Sequence, residues 1–235
     1  MKIDDKYNEI DLENEEHFLT TKKQKWKKFV DNYFKLNTKK ITYLSLLLAV
    51  NVLLSFICFI TLSKVAFLGF LRVELSFVTY IVIWKSVNSF YATIMIFLGT
   101  WIRFGWIDND FVGLISLNIS DLLAFWIYLL LNMLFSRFIN HKKKVNFYLM
   151  NIASFSLCIV SVGLINVILN FTFLLPMYIY FLGYYSSTEY FLETLKLNWF
   201  LYGLIIFGFN ALKYSINFII YISIHETLDK IIFKL

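Results

Sequence analysis

Polar side chains are rare in the apolar stretches of this chain, and those present fall at helical spacing. Lys213 lies well inside the last apolar stretch, with Asn210 three positions before it and Asn217 four positions after it. Residues three and four apart share one helix face, so these side chains line up. Asn166 and Asn170 form a second such pair in the preceding stretch. Amide and ammonium groups on two facing helices are able to line a polar pocket that donates and accepts hydrogen bonds.

Each of these polar groups also has a simpler structural explanation. For Asn166 and Asn217 taken singly, packing between membrane helices is favoured, since such bonds contribute less than about 1 kcal/mol each. For Asn210 with Lys213 a binding role is favoured, because an ionisable group inside a membrane needs a partner. Asp121 interrupts the fourth apolar stretch and is a candidate partner for Lys213. Local bonding of Asp121 within its own bundle is the alternative.

Motifs typical of enzymes are few. His225 and Glu226 begin the segment HETLD, which lacks the second histidine of the zinc-protease motif HExxH. The chain has neither the GxxxxGK motif of nucleotide hydrolases nor the GxSxG motif of serine hydrolases. With three histidines and two separated cysteines, we expect no metal site and no resident cofactor.

The composition predicts that membrane helices position the polar residues. Of the 235 residues, 59% are hydrophobic and 16% are charged, which is more apolar surface than a soluble domain of ordinary composition hides. Residues 41–63 contain no charged side chain, and about 20 apolar residues suffice for a helix to cross the hydrocarbon core. Backbone groups in lipid must be satisfied internally, so helices are expected rather than open strands. We therefore predict an all-α integral membrane protein.

Six transmembrane helices are predicted, preceded by a hydrophilic extension. The helices are expected at about residues 41–62, 75–87, 88–104, 111–136, 146–175 and 198–224. Residues 63–74, with Gly69, and residues 176–196, beginning at Pro176, are expected to be loops. Residues 1–39 are expected to be disordered or to lie on the membrane surface, and residues 40–235 to form the membrane domain.

The distribution of basic residues predicts that both termini are cytoplasmic. In that orientation the cytoplasmic side receives most of the basic residues, namely the cluster from Lys22 to Lys40, Lys85, Arg137, Lys142, Lys143, Lys144, Lys230 and Lys234. The opposite side receives five acidic residues and four basic ones: Glu74, Asp108, Asp110, Glu189, Glu193, Lys64, Arg72, Arg103 and Lys196. Membrane orientation therefore explains the net charge of +6, and no nucleic-acid partner is expected.

Two segments resemble a known family. The segment ILNFTFLLPMYIYFL at 168–182 carries an Asn followed six residues later by Pro and then by Tyr, here Asn170, Pro176 and Tyr178. This pattern resembles the end of the fifth helix in riboflavin-specific S components. These proteins are the substrate-binding subunits of energy-coupling factor (ECF) vitamin transporters.

The second segment is GFNALK at 208–213. It is similar to the PFNxxKG pattern in the sixth helix of the same proteins, with Phe209, Asn210 and Lys213 at the matching positions. The chain departs from this pattern at Tyr214, where the family usually has Gly.

Two weaker similarities extend the resemblance to about residues 40–228. FLRVELS at 70–76, which contains Glu74, resembles the LKIDFSD loop before the second helix of these proteins, without the Asp-x-Pro that follows it there. Ser45 and Ala49 have the spacing of the AxxxA face with which S components dock. Asp121 stands near a position that is often Asn in the family.

The resemblance implies a vitamin-binding subunit in the bacterial plasma membrane, with riboflavin as its ligand. Its partners would be an ECF transmembrane coupling protein and two ATPase subunits, which would hydrolyse ATP, so the chain itself is not expected to be an enzyme. The residues implied to bind substrate are Asn170, Asn210 and Lys213, supplemented by Glu74, Asn166, Tyr178 and Asn217. Ser45 and Ala49 would dock on the coupling protein, and residues 63–74 would act as a lid.

Three other hypotheses compete with this one. An S component for another vitamin, such as folate or thiamine, would share the fold and the partners. A membrane-embedded enzyme would use Asp121, Lys213 or His225 on a lipid-like substrate. A structural scaffold would use the polar residues for packing alone. A small molecule that copurifies with the protein would distinguish these hypotheses.

Overall fold

The computed structural model describes residues 24–27, 30, 33–62, 71–105, 107, 110–138, 144–182 and 187–232. From Thr38 onward, eight α-helices follow one another in the described residues: α1 (Thr38–Leu62), α2 (Phe77–Ser86), α3 (Ser89–Trp101), α4 (Phe111–Phe138), α5 (Lys144–Leu169), α6 (Leu175–Leu182), α7 (Thr188–Thr194) and α8 (Trp199–Ile232). A five-residue π-helical turn, Asn170–Leu174, joins α5 to α6.

Four helical segments are long and apolar enough to cross a membrane. They are Thr38–Thr61, Phe111–Phe138, Asn146–Phe181 and Trp199–Leu228, with lengths of 24, 28, 36 and 30 residues. A helix of about 20 residues suffices to cross the hydrocarbon core. Many of their large apolar side chains are exposed, as expected for a surface that faces lipid.

Helices α2 and α3 form a short antiparallel hairpin. Asn88 starts α3, since its Oδ1 accepts a hydrogen bond from the Tyr91 backbone N–H at 2.9 Å. Arg103, just after α3, bonds to Ser76, just before α2, which brings the open ends of the hairpin together. The helices have 10 and 13 residues, or about 15 and 20 Å. Both were predicted from the sequence, but neither is long enough to cross a hydrocarbon core of about 30 Å as a straight helix.

The predicted end of the fifth helix is wrong, because the chain stays helical beyond Pro176 as far as Leu182. Proline has no backbone N–H and its ring clashes with the preceding turn of a regular α-helix. The π-helical turn precedes it, and there the Leu175 N–H bonds to the carbonyl of Asn170, five residues back. This wider turn accommodates the proline. The predicted loop 176–196 also contains α7, which starts at Ser187 with a side-chain cap on the Tyr190 N–H.

An aromatic core joins α2, α4, α5 and α8. The rings of Phe155 and Phe218 stack with their centroids 3.9 Å apart, and Tyr128 packs against Phe218 at 5.5 Å. Phe77 meets Phe218 from α2 at 5.9 Å. All four side chains are buried. This packing fixes the rotation of each helix about its axis, and so determines which faces of α4, α5 and α8 meet.

The chain divides into two compact units, Met1–Thr42 and Tyr43–Leu235. In the first unit, the Asn37 side chain accepts a hydrogen bond from the Lys40 backbone N–H at 2.8 Å, which caps the start of α1. Most of the predicted hydrophilic extension, 1–39, lies outside the described residues.

Candidate functional site

Lys213 and Asp121 form an ion pair between α8 and α4. The Lys213 Nζ lies 2.7 Å from Asp121 Oδ1, and the two side chains are 3% and 0% exposed. The Tyr214 hydroxyl donates to the same oxygen at 3.0 Å. The other carboxylate oxygen, Oδ2, accepts no hydrogen bond from the described residues. Of the two arrangements that the sequence left open for Asp121, the structure has the pairing with Lys213.

A chain of asparagines lies next to this ion pair. The Asn166 amide donates to Asn210 Oδ1 at 3.1 Å, which joins α5 to α8. The Ser120 hydroxyl donates to Asn166 Oδ1 at 2.6 Å, and Ser120 directly precedes Asp121 on α4. The Asn170 amide donates to the backbone carbonyl of Asn166 at 2.9 Å. The structure therefore brings the asparagines predicted on two separate helices into one buried network.

Asn170 occupies a distinctive backbone position, because it opens the π-helical turn. A π-helical turn inserts an extra residue per turn and re-aims the side chains that follow it, and such turns occur frequently at functional sites. The Asn170 Oδ1 accepts a hydrogen bond of 3.4 Å from the hydroxyl of Tyr202 on α8. The irregularity that accommodates Pro176 thus also sets the position of a predicted binding residue.

A second buried ion pair joins Arg103 to Glu74. Arg103 is 1% exposed and donates to the Glu74 carboxylate. It also donates to Asn51 Oδ1 on α1 at 3.0 Å and to the Ser76 hydroxyl at 3.1 Å. Ser76 in turn donates to Glu74 Oε2 at 3.1 Å. One guanidinium therefore holds α1, the segment before α2 and the end of α3 together.

Asn217 connects the two ion pairs. Its amide nitrogen donates to the backbone carbonyl of Glu74 at 2.7 Å and to that of Lys213 at 2.8 Å. Its Oδ1 accepts the backbone N–H of Val78 at 3.0 Å. Glu74 and Asn217 therefore belong to the same polar network as Lys213, which contains six of the seven predicted substrate-binding residues.

The seventh residue, Tyr178, bonds to a different carboxylate. Its hydroxyl donates to Asp110, at the start of α4. Asp110 also caps that helix, since its Oδ1 accepts the Gly113 backbone N–H at 2.9 Å. The structure therefore places Tyr178 at the junction of α6 with α4.

Several members of the network were missed by sequence reasoning: Asn51, Ser76, Arg103, Ser120, Tyr202 and Tyr214. The charge distribution predicts only that Arg103 lies on the non-cytoplasmic side, whereas the structure shows that its side chain is buried. Its position directly after an apolar helix was the available signal, since an arginine there needs either headgroups or an acidic partner.

The predicted docking residues lie on an open apolar groove of about 550 Å³. It is lined by Ser45, Leu48, Ala49, Val52, Leu53, Phe56 and Ile102. Both small residues are exposed. The inner face of α1 is the one that carries the buried Asn51 and Ser55.

The four long apolar helices, with a polar network buried between them, define an all-α membrane protein. No protein-family profile matches this sequence, and no curated protein is significantly similar to it. Among the described residues, no three His, Cys, Asp or Glu side chains are grouped as a metal would require.

Proposed function

We propose that this chain is the membrane-embedded S component of an ECF-type vitamin importer, with riboflavin as its ligand. One observation carries the proposal. Asn170, Asn210 and Lys213 come from the two segments that resemble riboflavin-specific S components, and they lie in one buried polar network between helices. Residues from two similar segments that are 25 residues apart in the chain thus belong to the same polar network.

The chemistry of the network suits a flavin. The isoalloxazine ring has two apolar faces and an edge of carbonyls and ring nitrogens, and small-molecule sites are mostly apolar with a few placed polar groups. Asn170 and Asn210 can both donate and accept along such an edge, and Lys213 can donate to a carbonyl or a ribityl hydroxyl. In the present structure Asn210 bonds to the Asn166 amide, Asn170 to the Asn166 carbonyl, and Lys213 to Asp121. Binding exchanges those bonds for bonds to the ligand.

In the proposed topology the chain crosses the membrane six times, with both termini in the cytoplasm of a bacterial cell. The hairpin of α2 and α3, with the residues that flank its helices, supplies two of the six crossings, and local thinning of the bilayer accommodates such short segments at a cost that grows with each Å of mismatch. The distribution of lysines and arginines supports this orientation, since the cytoplasmic side then receives most of them.

Transport then requires partners. The S component captures riboflavin from the outside and releases it inward, while an ECF transmembrane coupling protein and two ATPase subunits supply the energy. The proposed lid, 63–74, is described only from residue 71 onward, and residues 63–70 lie outside the described part of the chain. At its described end, the lid is attached to the polar network through Glu74.

Riboflavin is expected to bind the purified protein with saturable quenching of flavin fluorescence. Asn210→Ala and Lys213→Ala should each weaken binding at least about tenfold, because each removes a hydrogen-bonding group worth about 1.4 kcal/mol or more. Asn132→Ala is the matched control, since Asn132 is a buried asparagine on α4, 11 residues or about 16 Å from Asp121. Unchanged affinity in folded Asn210 and Lys213 variants would remove both residues from the site. A folded wild-type protein that does not quench would contradict riboflavin as the ligand.

Ser45→Leu and Ala49→Leu are expected to prevent assembly with the coupling protein while riboflavin binding persists. Small residues allow close approach of helices in lipid, and a leucine at either position partly fills the groove. Co-purification of the S component with the tagged coupling protein measures assembly. Ser223→Leu on α8 is the matched control, because Ser223 is also exposed but lies away from the groove. Normal assembly of both α1 variants would exclude the groove as the docking face.

A further inference from the structure

The two oxygens of the Asp121 carboxylate are unequally used. Oδ1 accepts hydrogen bonds from Lys213 and from the Tyr214 hydroxyl, at 2.7 and 3.0 Å. Oδ2 accepts none from the described residues, although the side chain is fully buried. A buried acceptor without a donor keeps its full desolvation cost, which is larger for a charged group than for a neutral one. The position is therefore suited to a donor that the described residues do not supply.

The ionic groups around this oxygen are balanced in charge. Asp121 pairs with Lys213, and Glu74 pairs with Arg103, so the polar network of the described residues contains two acids and two bases. A ligand with a net charge next to Asp121 would leave one charge uncompensated in a low-dielectric interior, which is costly. An uncharged group that carries an N–H donor is the chemical match.

We infer that Asp121 Oδ2 accepts a hydrogen bond from a ring N–H of the bound ligand, while Lys213 donates to the carbonyl next to that N–H. The site is thereby selective for an uncharged imide or lactam edge. This inference rests on the proposed function and specifies which atoms of the ligand the site recognises.

The geometry of the pair fits such an edge. An imide or lactam has its N–H and its C=O on neighbouring ring atoms. The ion pair presents an unpartnered carboxylate oxygen next to an ammonium. The ligand N–H can therefore donate to Asp121 while the neighbouring carbonyl accepts from Lys213. The bond to Asp121 is charge-assisted, and such bonds are roughly twice as strong as neutral ones. In riboflavin the N3–H group lies between two carbonyls, and it is therefore the group that binds Asp121.

The test compares three flavins on the unmodified protein by fluorescence quenching. They are riboflavin, its 3-methyl derivative, which lacks the N–H, and an 8-ethyl derivative, which adds the same carbon at the other end of the ring. The 3-methyl derivative is expected to bind at least about tenfold more weakly than riboflavin, because the charge-assisted bond is lost. The 8-ethyl derivative should show a much smaller loss.

Asp121→Asn gives a second, independent readout. Lys213 and Tyr214 both donate, so the amide oxygen must stay with them and the amide NH₂ takes the place of Oδ2. When riboflavin binds to this variant, the amide NH₂ faces the N3–H of the flavin, and neither group can accept a hydrogen bond from the other. Riboflavin affinity should fall at least about tenfold in this variant, and the ratio between riboflavin and 3-methylriboflavin should approach one. Asn132→Ala should keep the wild-type ratio.

The outcomes separate this inference from the proposed function. Tight riboflavin binding with equal affinity for the 3-methyl derivative would overturn the role of Asp121 and leave the S-component proposal standing. Discrimination that persists unchanged in Asp121→Asn would also overturn it, since another residue would then accept the N–H. Absence of binding by all three flavins to folded protein would overturn the proposed ligand, and this inference with it.

Discussion

Asp121→Ala is expected to lower the free energy of unfolding by about 3–5 kcal/mol. The change leaves the Lys213 ammonium unpaired among buried side chains, and the loss of one partner from a buried pair costs about that much. The double variant Asp121→Ala/Lys213→Met should recover most of the loss, because no buried charge remains. Unfolding of the detergent-solubilised protein by SDS titration, followed by circular dichroism, measures the difference.

The double variant also separates stability from binding. Its fold should be nearly as stable as the wild type, yet it should not bind riboflavin, because both proposed ligand contacts are absent. Asn132→Ala again serves as the control for a buried polar change on α4. An Asp121→Ala protein that is less than about 1 kcal/mol destabilised would contradict a buried, charged pair.

Arg103→Leu is expected to have a similar effect, about 3–5 kcal/mol. It leaves the Glu74 carboxylate without its cation and removes the donor to Asn51 and Ser76. Arg103→Lys should recover only part of the loss, because an ammonium cannot reproduce the planar fork that reaches several acceptors. The matched control is Arg137→Leu at the exposed end of α4, with an expected change within about 0.5 kcal/mol. Equal stability of the two leucine variants would show that Arg103 does not hold α1, the segment before α2 and the end of α3 together.

The stability of the protein at acidic pH provides a second measurement on the pair of Arg103 and Glu74. Burial acts to raise the pKa of the Glu74 carboxyl, but the positive charges of Arg103 and Lys213, with the hydrogen bonds from Arg103 and Ser76, lower the pKa below its ordinary value of 4.5. A group with a lowered pKa in the folded state contributes its stability in full above the unfolded value and loses it as the pH falls through the folded value. Below about pH 4.5 the wild-type protein should therefore lose stability more steeply than Glu74→Gln.

The sequence predicts those features that depend on local periodicity. Apolar stretches reveal the helices, and spacing of three or four residues reveals which polar side chains share a face, so Asn210, Lys213 and Asn217 were correctly placed together. The pairing of Lys213 with Asp121 could not be decided, because the two residues are 92 positions apart and their contact depends on how α4 and α8 rotate and slide against each other. That register is set by the aromatic core.

Other features could not be predicted from the sequence, because they depend on tertiary contacts or on irregular backbone geometry. The burial of Arg103 could not be predicted, because its hydrogen-bond partners come from α1 and from the segment before α2, which are distant in sequence. Pro176 looked like the end of a helix, because the π-helical turn that accommodates it is not visible in a hydrophobic pattern. Tyr214 and Asp121 were separate departures from the S-component pattern. Their side chains touch, so the two form one local change.

The bridging role of Asn217 has a thermodynamic consequence for the proposed transporter. Asn217 ties the helix of Lys213 to the backbone at Glu74 and Val78. The adjoining Ser76 carbonyl accepts from the Asn51 amide on the inner face of α1 at 3.0 Å, and the docking groove lies along the outer face of that helix. If this chain of bonds shifts when the vitamin binds, the two binding equilibria become linked. Linkage is reciprocal, so the factor by which riboflavin changes the affinity for the coupling protein equals the factor by which docking changes the affinity for riboflavin. Docking that weakens riboflavin binding would then serve to release the vitamin.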